Sequence, residues 1–235
     1  MTSAERNNFD DANDVDRIME IAQANDNPHE LIHLVQDNAD AIFTWNYDKG
    51  ERAKLDKLYE KSKTSQWNAT TDLDWSIEVD PYEALNLQLE LQMDPSNVED
   101  PDSPLYSWGD KEWREFGLQS AKWRLSQFMH GEQGALMAAA QITEATPVFD
   151  GKYYGATQVM DEARHVEVFS RYLDTKMERR YEINDNLFTI IDGLMTDSRW
   201  DMKFLGMQIL VEGLALGAFS TLHKMTDEPL MKEML

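Results

Sequence analysis

The sequence of 235 residues contains no cysteine, which excludes disulfide bonds, thiolate catalysis, zinc–thiolate sites and iron–sulfur clusters. Glycine and proline are also few, with 11 and 7 residues. The Ala, Leu, Met, Glu and Lys that take their place recur in long periodic runs, as is typical of helices. No segment alternates between apolar and polar residues as a strand does. The sequence therefore predicts an all-α protein.

Basic residues are scarce as well: 22 Lys and Arg stand against 44 Asp and Glu, a formal net charge of −22. Without a basic patch to neutralise phosphates, a nucleic-acid partner is not expected. The N-terminus lacks the apolar core of a signal peptide, and no uninterrupted apolar run reaches about 18 residues. We therefore predict a cytoplasmic protein that has no membrane segment.

Three regions of different character follow one another along the chain. Residues 1–13 are polar and are predicted to be disordered. Residues 14–104 are predicted to form a helical extension with loops, its helices being expected over 15–24, 28–37 and 41–66, while 82–92 is either a helix or an extended arm. Residues 105–235 are predicted to hold longer helices, over 110–146, 152–177, 184–196 and 199–225. Long helices that are joined by short turns indicate an antiparallel bundle.

The stretch Asp161-Glu162-Ala163-Arg164-His165 has the most informative spacing. Glu162 and His165 are three residues apart on a predicted helix, so a carboxylate and an imidazole project from one face. Apolar residues close to that face indicate that the pair points into the bundle. A buried charge is usually paired or bound to a metal. The pair is therefore a candidate for two metal ligands.

Two further carboxylates lie on apolar helix faces at a similar height. Glu132 precedes residue 147 by 15 positions and Glu162 follows residue 150 by 12, so both lie roughly 18–22 Å from the turn. Glu212 lies 13 positions after residue 199 on a third helix. Glutamate and histidine together suit iron or manganese better than a soft metal. The sequence predicts a metal site formed by Glu132, Glu162, His165 and Glu212.

In this order the four residues resemble the ferritin-like di-iron carboxylate superfamily, to which ribonucleotide reductase small subunits and bacterial hydrocarbon monooxygenases belong. The family has Glu on one helix, E-x-x-H on the next, Glu on the third and E-x-x-H on the fourth. The resemblance covers residues 110–235 and implies a ferritin-like bundle with a di-iron or Mn/Fe centre. Residues 161–165 match the family's D-E-x-R-H form. The resemblance implies that Asp161 and Arg164 orient ligands on a neighbouring helix.

The sequence departs from the family pattern at the fourth helix, because a second E-x-x-H is absent. A step equal to that between Glu132 and Glu162 would put it near position 242, after Leu235 (about 30 residues, by analogy with bundles). We expect that the chain is a fragment, that another chain completes the site, or that fewer ligands are used. Three helices alone would leave an apolar face uncovered.

The resemblance implies an O₂-activating di-iron oxidoreductase, an oxygenase or oxidase, that takes electrons from a reductase or ferredoxin; a homodimer is a possible assembly. Phe169 stands where ribonucleotide reductases have their radical tyrosine, and Leu216 where hydrocarbon monooxygenases commonly have threonine. Leu136, Phe169 and Leu216 are expected to line a pocket for an apolar or aromatic substrate. Two alternatives remain open: a ferroxidase or other iron-handling protein, and a metal-free remnant that acts as a scaffold subunit.

Overall fold

The computed structural model describes residues 50–82, 101–103 and 105–235. The predicted disorder of residues 1–13, the helices predicted over 15–24 and 28–37, and nearly all of 82–92 lie outside these ranges. Within them every regular element is helical and there is no strand, which confirms the all-α class for this part of the chain.

Helix α1 spans Ala53–Ser62, α2 spans Asp110–Ala145 and α3 spans Phe149–Tyr172, which a π-helical turn, Leu173–Met177, extends. Helix α4 spans Asp185–Thr196, α5 covers Trp200–Met225 and α6 spans Pro229–Met234. Helices α2 to α5 begin and end within three residues of their predicted bounds when the π-helical turn is counted with α3. The sequence did not predict α6, nor the π-helical middle of α5, Phe204–Val211.

Helices α2 and α3 form an antiparallel hairpin, the most extensive helix–helix contact in the described structure. The hairpin turns at Pro147, where Thr146 and Val148 on either side have extended backbone. The buried Asp150 side chain, in the first turn of α3, accepts hydrogen bonds from Gly50 N (2.8 Å) and Arg52 N (2.7 Å). These bonds hold the segment before α1 against the start of α3.

Close approach of α2 and α3 near the turn depends on Gly155. A Cβ atom at this position would overlap Thr143 Oγ1 and lie 3.3 Å from Thr143 Cα, which is backbone and does not yield easily. We expect Gly155→Ala to lower the free energy of unfolding by about 1–3 kcal/mol, as overpacking does. Gly217→Ala, where nothing lies within 4 Å, is the matched control and should raise it by about 0.5–1 kcal/mol.

Urea denaturation followed by circular dichroism measures both changes. A Gly155→Ala variant as stable as Gly217→Ala would show that the two helices are not packed as closely as described.

Two groups of buried apolar side chains form the core. The larger lies between α2, α3 and the loop after α1, and includes Leu125, Met129, Val168 and Leu173. The smaller lies farther along α2, where Ala135 and Ala138 pack on side chains from α4 and α5: Ile191, Met195 and Met207. Residues 130–134 of α2 therefore pass between the two groups.

Helix α5 is packed along one side only. Phe219 lies against Phe128 and Phe169, with ring centroids 5.0 and 5.6 Å apart. Other apolar side chains of this helix, Leu205, Ile209 and Leu216, are exposed, Leu216 to 68%. The expected uncovered apolar face is thus found on α5, where nothing among the described residues covers it.

The apolar character of α5 also corrects the prediction that no segment qualifies as a membrane span. Among the described residues, Trp200–Met225 is long and apolar enough to cross a membrane, with a mean hydropathy of 1.5 over 18 residues. Only 6% of that stretch is buried. One such helix is only weak evidence for a membrane segment.

Candidate metal centre

Three ionisable side chains from α2 and α3 converge between the two halves of the core. Glu132, on α2, is 3% exposed, and Glu162, on α3, is 5% exposed. His165 lies one turn after Glu162, and its side chain is 41% exposed on the open side of the group. The helical spacing of Glu162 and His165 and the register of the hairpin together place the three side chains at one height.

The distances within the group are those of ligands around one cation. His165 Nδ1 lies 3.1 Å from Glu132 Oε2 and 3.0 Å from Glu162 Oε2. One ligand atom from each residue lies within 4.8 Å of the others. Atoms that each lie about 2.0–2.2 Å from a cation are separated by roughly 3–4 Å. Two carboxylates and one imidazole are donors that iron, manganese and zinc accept.

The charges in the group depend strongly on one another. Burial raises the pKa of Glu132, although the hydrogen bond from His165 opposes this. Burial lowers the pKa of His165, but its hydrogen bonds to Glu132 and Glu162 outweigh that effect and raise it to about 10. Without a cation, the imidazole is therefore protonated at neutral pH and lies between the two carboxylates.

Glu212 is half-buried on α5 and lies outside this three-residue group. Burial, followed by the negative charges of Glu162 and Glu132, raises its pKa to about 7, and His165 opposes this. The charges of the group therefore change the pKa of Glu212, although its carboxylate lies outside the group. Glu212 follows the π-helical segment directly, which changes the direction in which it projects.

Asp161 and Arg164 were predicted to orient ligands on a neighbouring helix, but their contacts are elsewhere. Arg164 is 5% exposed and forms an ion pair with Asp161 one turn before it. Its Nη1 donates to Gln66 Oε1 (2.8 Å) and to the Trp67 carbonyl oxygen (3.0 Å). The Arg164 guanidinium thus anchors the loop that follows α1.

That loop brings Trp67 to the candidate metal centre formed by Glu132, Glu162 and His165. The Trp67 ring is stacked on the His165 ring, with centroids 6.3 Å apart and planes 23° apart. The Arg164 guanidinium lies 5.2 Å from the Trp67 ring centroid. A series of contacts thus runs from Asp161 through Arg164 and Trp67 to His165. The sequence offered one signal, the aromatic residue within a capping turn.

Removing the Trp67 ring is expected to weaken metal binding without removing a ligand. Losing a partner that orients a ligand typically costs 10–100-fold in affinity, so Trp67→Leu should lower metal affinity by about that factor. Trp75→Leu is the control, because Trp75 lies in the same loop but stacks on Arg171, 4.3 Å away. Competitive titration with a chelator measures both; equal affinities in the two variants would contradict an orienting role for Trp67.

The substrate pocket predicted from side-chain type is not found at the predicted residues. Phe169 is buried in the core and Leu136 is half-buried, whereas Leu216 is exposed. A cavity of about 410 Å³ instead adjoins the metal centre from the side of α1. Glu162 and His165 form part of its wall, with Trp67, Tyr154 and Gln158. The centre is thus reached between α1 and α3.

No family model, curated protein or solved structure matches this chain. The structure by itself shows an all-α protein in which three ligand-type side chains lie together beside a cavity.

Proposed function

We propose that this chain is a ferritin-like metalloprotein whose site holds iron, or manganese with iron, and that it is an O₂-activating oxidoreductase. The observation that carries the proposal is the meeting of Glu132, Glu162 and His165 within 4.8 Å between two core regions. Buried carboxylates are costly unless a cation or a proton neutralises them. The donor types and their spacing fit a divalent cation of the iron group.

In this proposal Glu132, Glu162 and His165 hold the first metal ion, and Glu212 supplies a carboxylate to the second from α5. When bound, a di-iron centre supplies the reduction of O₂ and the oxidation of an organic molecule. The protein supplies the rest. Apolar side chains on both sides of Glu132 exclude water, and Trp67 fixes the His165 ring.

The cavity beside Glu162 and His165 supports a reaction with a small molecule rather than a purely structural metal. A structural metal site is closed, whereas a catalytic one keeps an open side. Here one side of His165 faces a cavity of about 410 Å³. The fourth ligand helix, a cytoplasmic location, a reductase or ferredoxin partner and a homodimer remain parts of the proposal.

A second candidate is the metal-free scaffold subunit, which one observation favours. The His165 imidazolium already contacts both carboxylates, so it neutralises half of their negative charge without a cation. The exposed apolar face of α5 would then bind another subunit.

Metal analysis of the full chain separates the two candidates. Protein produced with added iron and purified without chelators should contain about two Fe, or Fe and Mn, per chain if the di-iron proposal is right. On anaerobic addition of Fe(II) followed by O₂, it should consume O₂. A folded protein that retains no transition metal and does not change the rate of Fe(II) oxidation supports the scaffold and contradicts the oxidoreductase. Metal bound without any reaction with O₂ would contradict the oxidoreductase alone.

A further inference from the structure

A second cavity, of about 280 Å³, lies between α1, the α2–α3 turn and the start of α5. Its wall is formed largely by apolar side chains, among them Leu55, Ile142, Val148, Trp200 and Phe204. Interiors of proteins have few voids larger than one water molecule. Cavities lined by apolar side chains can accept apolar molecules such as benzene. The cavity thus has the lining of a ligand site and a size at the lower end of the usual range.

The apolar cavity and the cavity beside the candidate metal centre have two wall residues in common. Tyr154 and Gln158 line both this cavity and the one beside Glu162 and His165. They precede Glu162 by eight and four positions, so they lie roughly 6–12 Å from it along α3. Gln158 is hydrogen-bonded to Gln208 on α5, which holds its amide between the two cavities. Tyr154 and Gln158 therefore lie between the apolar cavity and the candidate metal centre.

We propose that the apolar cavity is a binding site for an uncharged aromatic or short aliphatic molecule, with one or two rings as its upper size. If the proposed function is right, this molecule is the substrate. Its apolar body then lies against Leu55, Val148 and Phe204, and its reacting end faces the metal centre. This site replaces the pocket that the sequence predicted at Leu136, Phe169 and Leu216.

Binding of 1-fluoronaphthalene to the metal-free full chain, followed by ¹⁹F NMR, tests the site independently of metal chemistry. Leu55→Trp and Val148→Phe each place a larger side chain in the cavity. Leu214→Trp is the control, since Leu214 is 77% exposed on α5 and lies outside the cavity. Saturable binding is expected in the wild type and in the control. Both filled variants should bind at least about tenfold more weakly, a loss of 1.4 kcal/mol or more.

A second measurement tests whether the molecule bound in the apolar cavity lies close to the metal centre. In protein loaded with Mn(II), the bound probe should show strong paramagnetic broadening of its ¹⁹F signal, and broadening should disappear in Leu55→Trp. No saturable binding, or equal binding in the filled variants, overturns the cavity proposal. Binding without broadening in metal-loaded protein overturns its link to the metal centre. Intact probe binding in a chain that takes up no metal contradicts the proposed function and leaves the cavity as a binding site.

Discussion

Glu162→Gln is expected to lower the affinity of the chain for Fe(II) or Mn(II) by at least about 100-fold, more than the loss of an outer partner costs. Glutamine keeps the shape of the side chain and removes the negative charge. The carboxylate of Glu162 is 5% exposed, and its Oε2 lies 3.0 Å from His165 Nδ1. Glu132→Gln should have a similar effect, since its Oε2 lies 3.1 Å from the same nitrogen.

Glu167→Gln is the matched control for these variants. Glu167 lies on the same helix, five positions after Glu162, but is exposed and contacts Thr70 rather than the metal centre. Its substitution removes the same charge and should leave metal affinity within about twofold of the wild type, as expected of a surface site. Circular dichroism confirms that each variant is folded. Comparable losses in Glu162→Gln and Glu167→Gln would mean that only the overall negative charge attracts the cation.

Metal binding is expected to depend steeply on pH, because ligands must lose protons to bind. The pKa of His165 is about 10 and that of Glu212 about 7 in the metal-free chain. At pH 7 the imidazole holds one proton and Glu212 about half of one, so binding should release between about one and two protons. Affinity should therefore rise by at least about tenfold for each pH unit between 6 and 8. Calorimetry in buffers of different ionisation enthalpy counts the released protons.

The same pKa values predict how the metal-free chain responds to pH. Folding raises the pKa of His165 from 6.5 to about 10, so the stability from its ion pairs is fully present below 6.5 and is lost as pH rises toward 10. Folding also raises the pKa of Glu212 from 4.5 to about 7, so the free energy of unfolding falls as pH rises from 4.5 to about 7. The melting temperature in EDTA should therefore fall between pH 6.5 and 10. His165→Gln should make this fall smaller; an unchanged slope would show that the imidazole is not held between carboxylates.

The meeting of Glu132, Glu162 and His165 was predictable because regular α-helix leads from the turn to each of them. Pro147 marks the turn, and counting residues at constant rise gives the height of each side chain. Glu212 was less predictable, since the segment Phe204–Val211 before it is π-helical. Its apolar sequence has the same composition as an ordinary helix, and one changed turn rotates every later side chain.

The surroundings of the candidate metal centre were not predictable, because they depend on contacts between distant parts of the chain. Trp67 reaches His165 through Arg164, whose partners lie 97 and 98 positions earlier. The apolar cavity depends on Leu55, Ile142 and Phe204, which come from three helices. Helical periodicity says which side of a helix is apolar, but not whether another element covers it. For this reason Leu216 was placed in a pocket, although it is exposed.

Anomalous diffraction from crystals of the iron-loaded full chain, collected at the Fe and Mn absorption edges, tests the central claim most directly. The predicted result is a peak within about 2.0–2.2 Å of His165 Nδ1 and of one oxygen each from Glu132 and Glu162. A second peak should lie on the side of Glu212. Well-ordered crystals with no anomalous peak among these side chains, and His165 still in contact with both carboxylates, would contradict it.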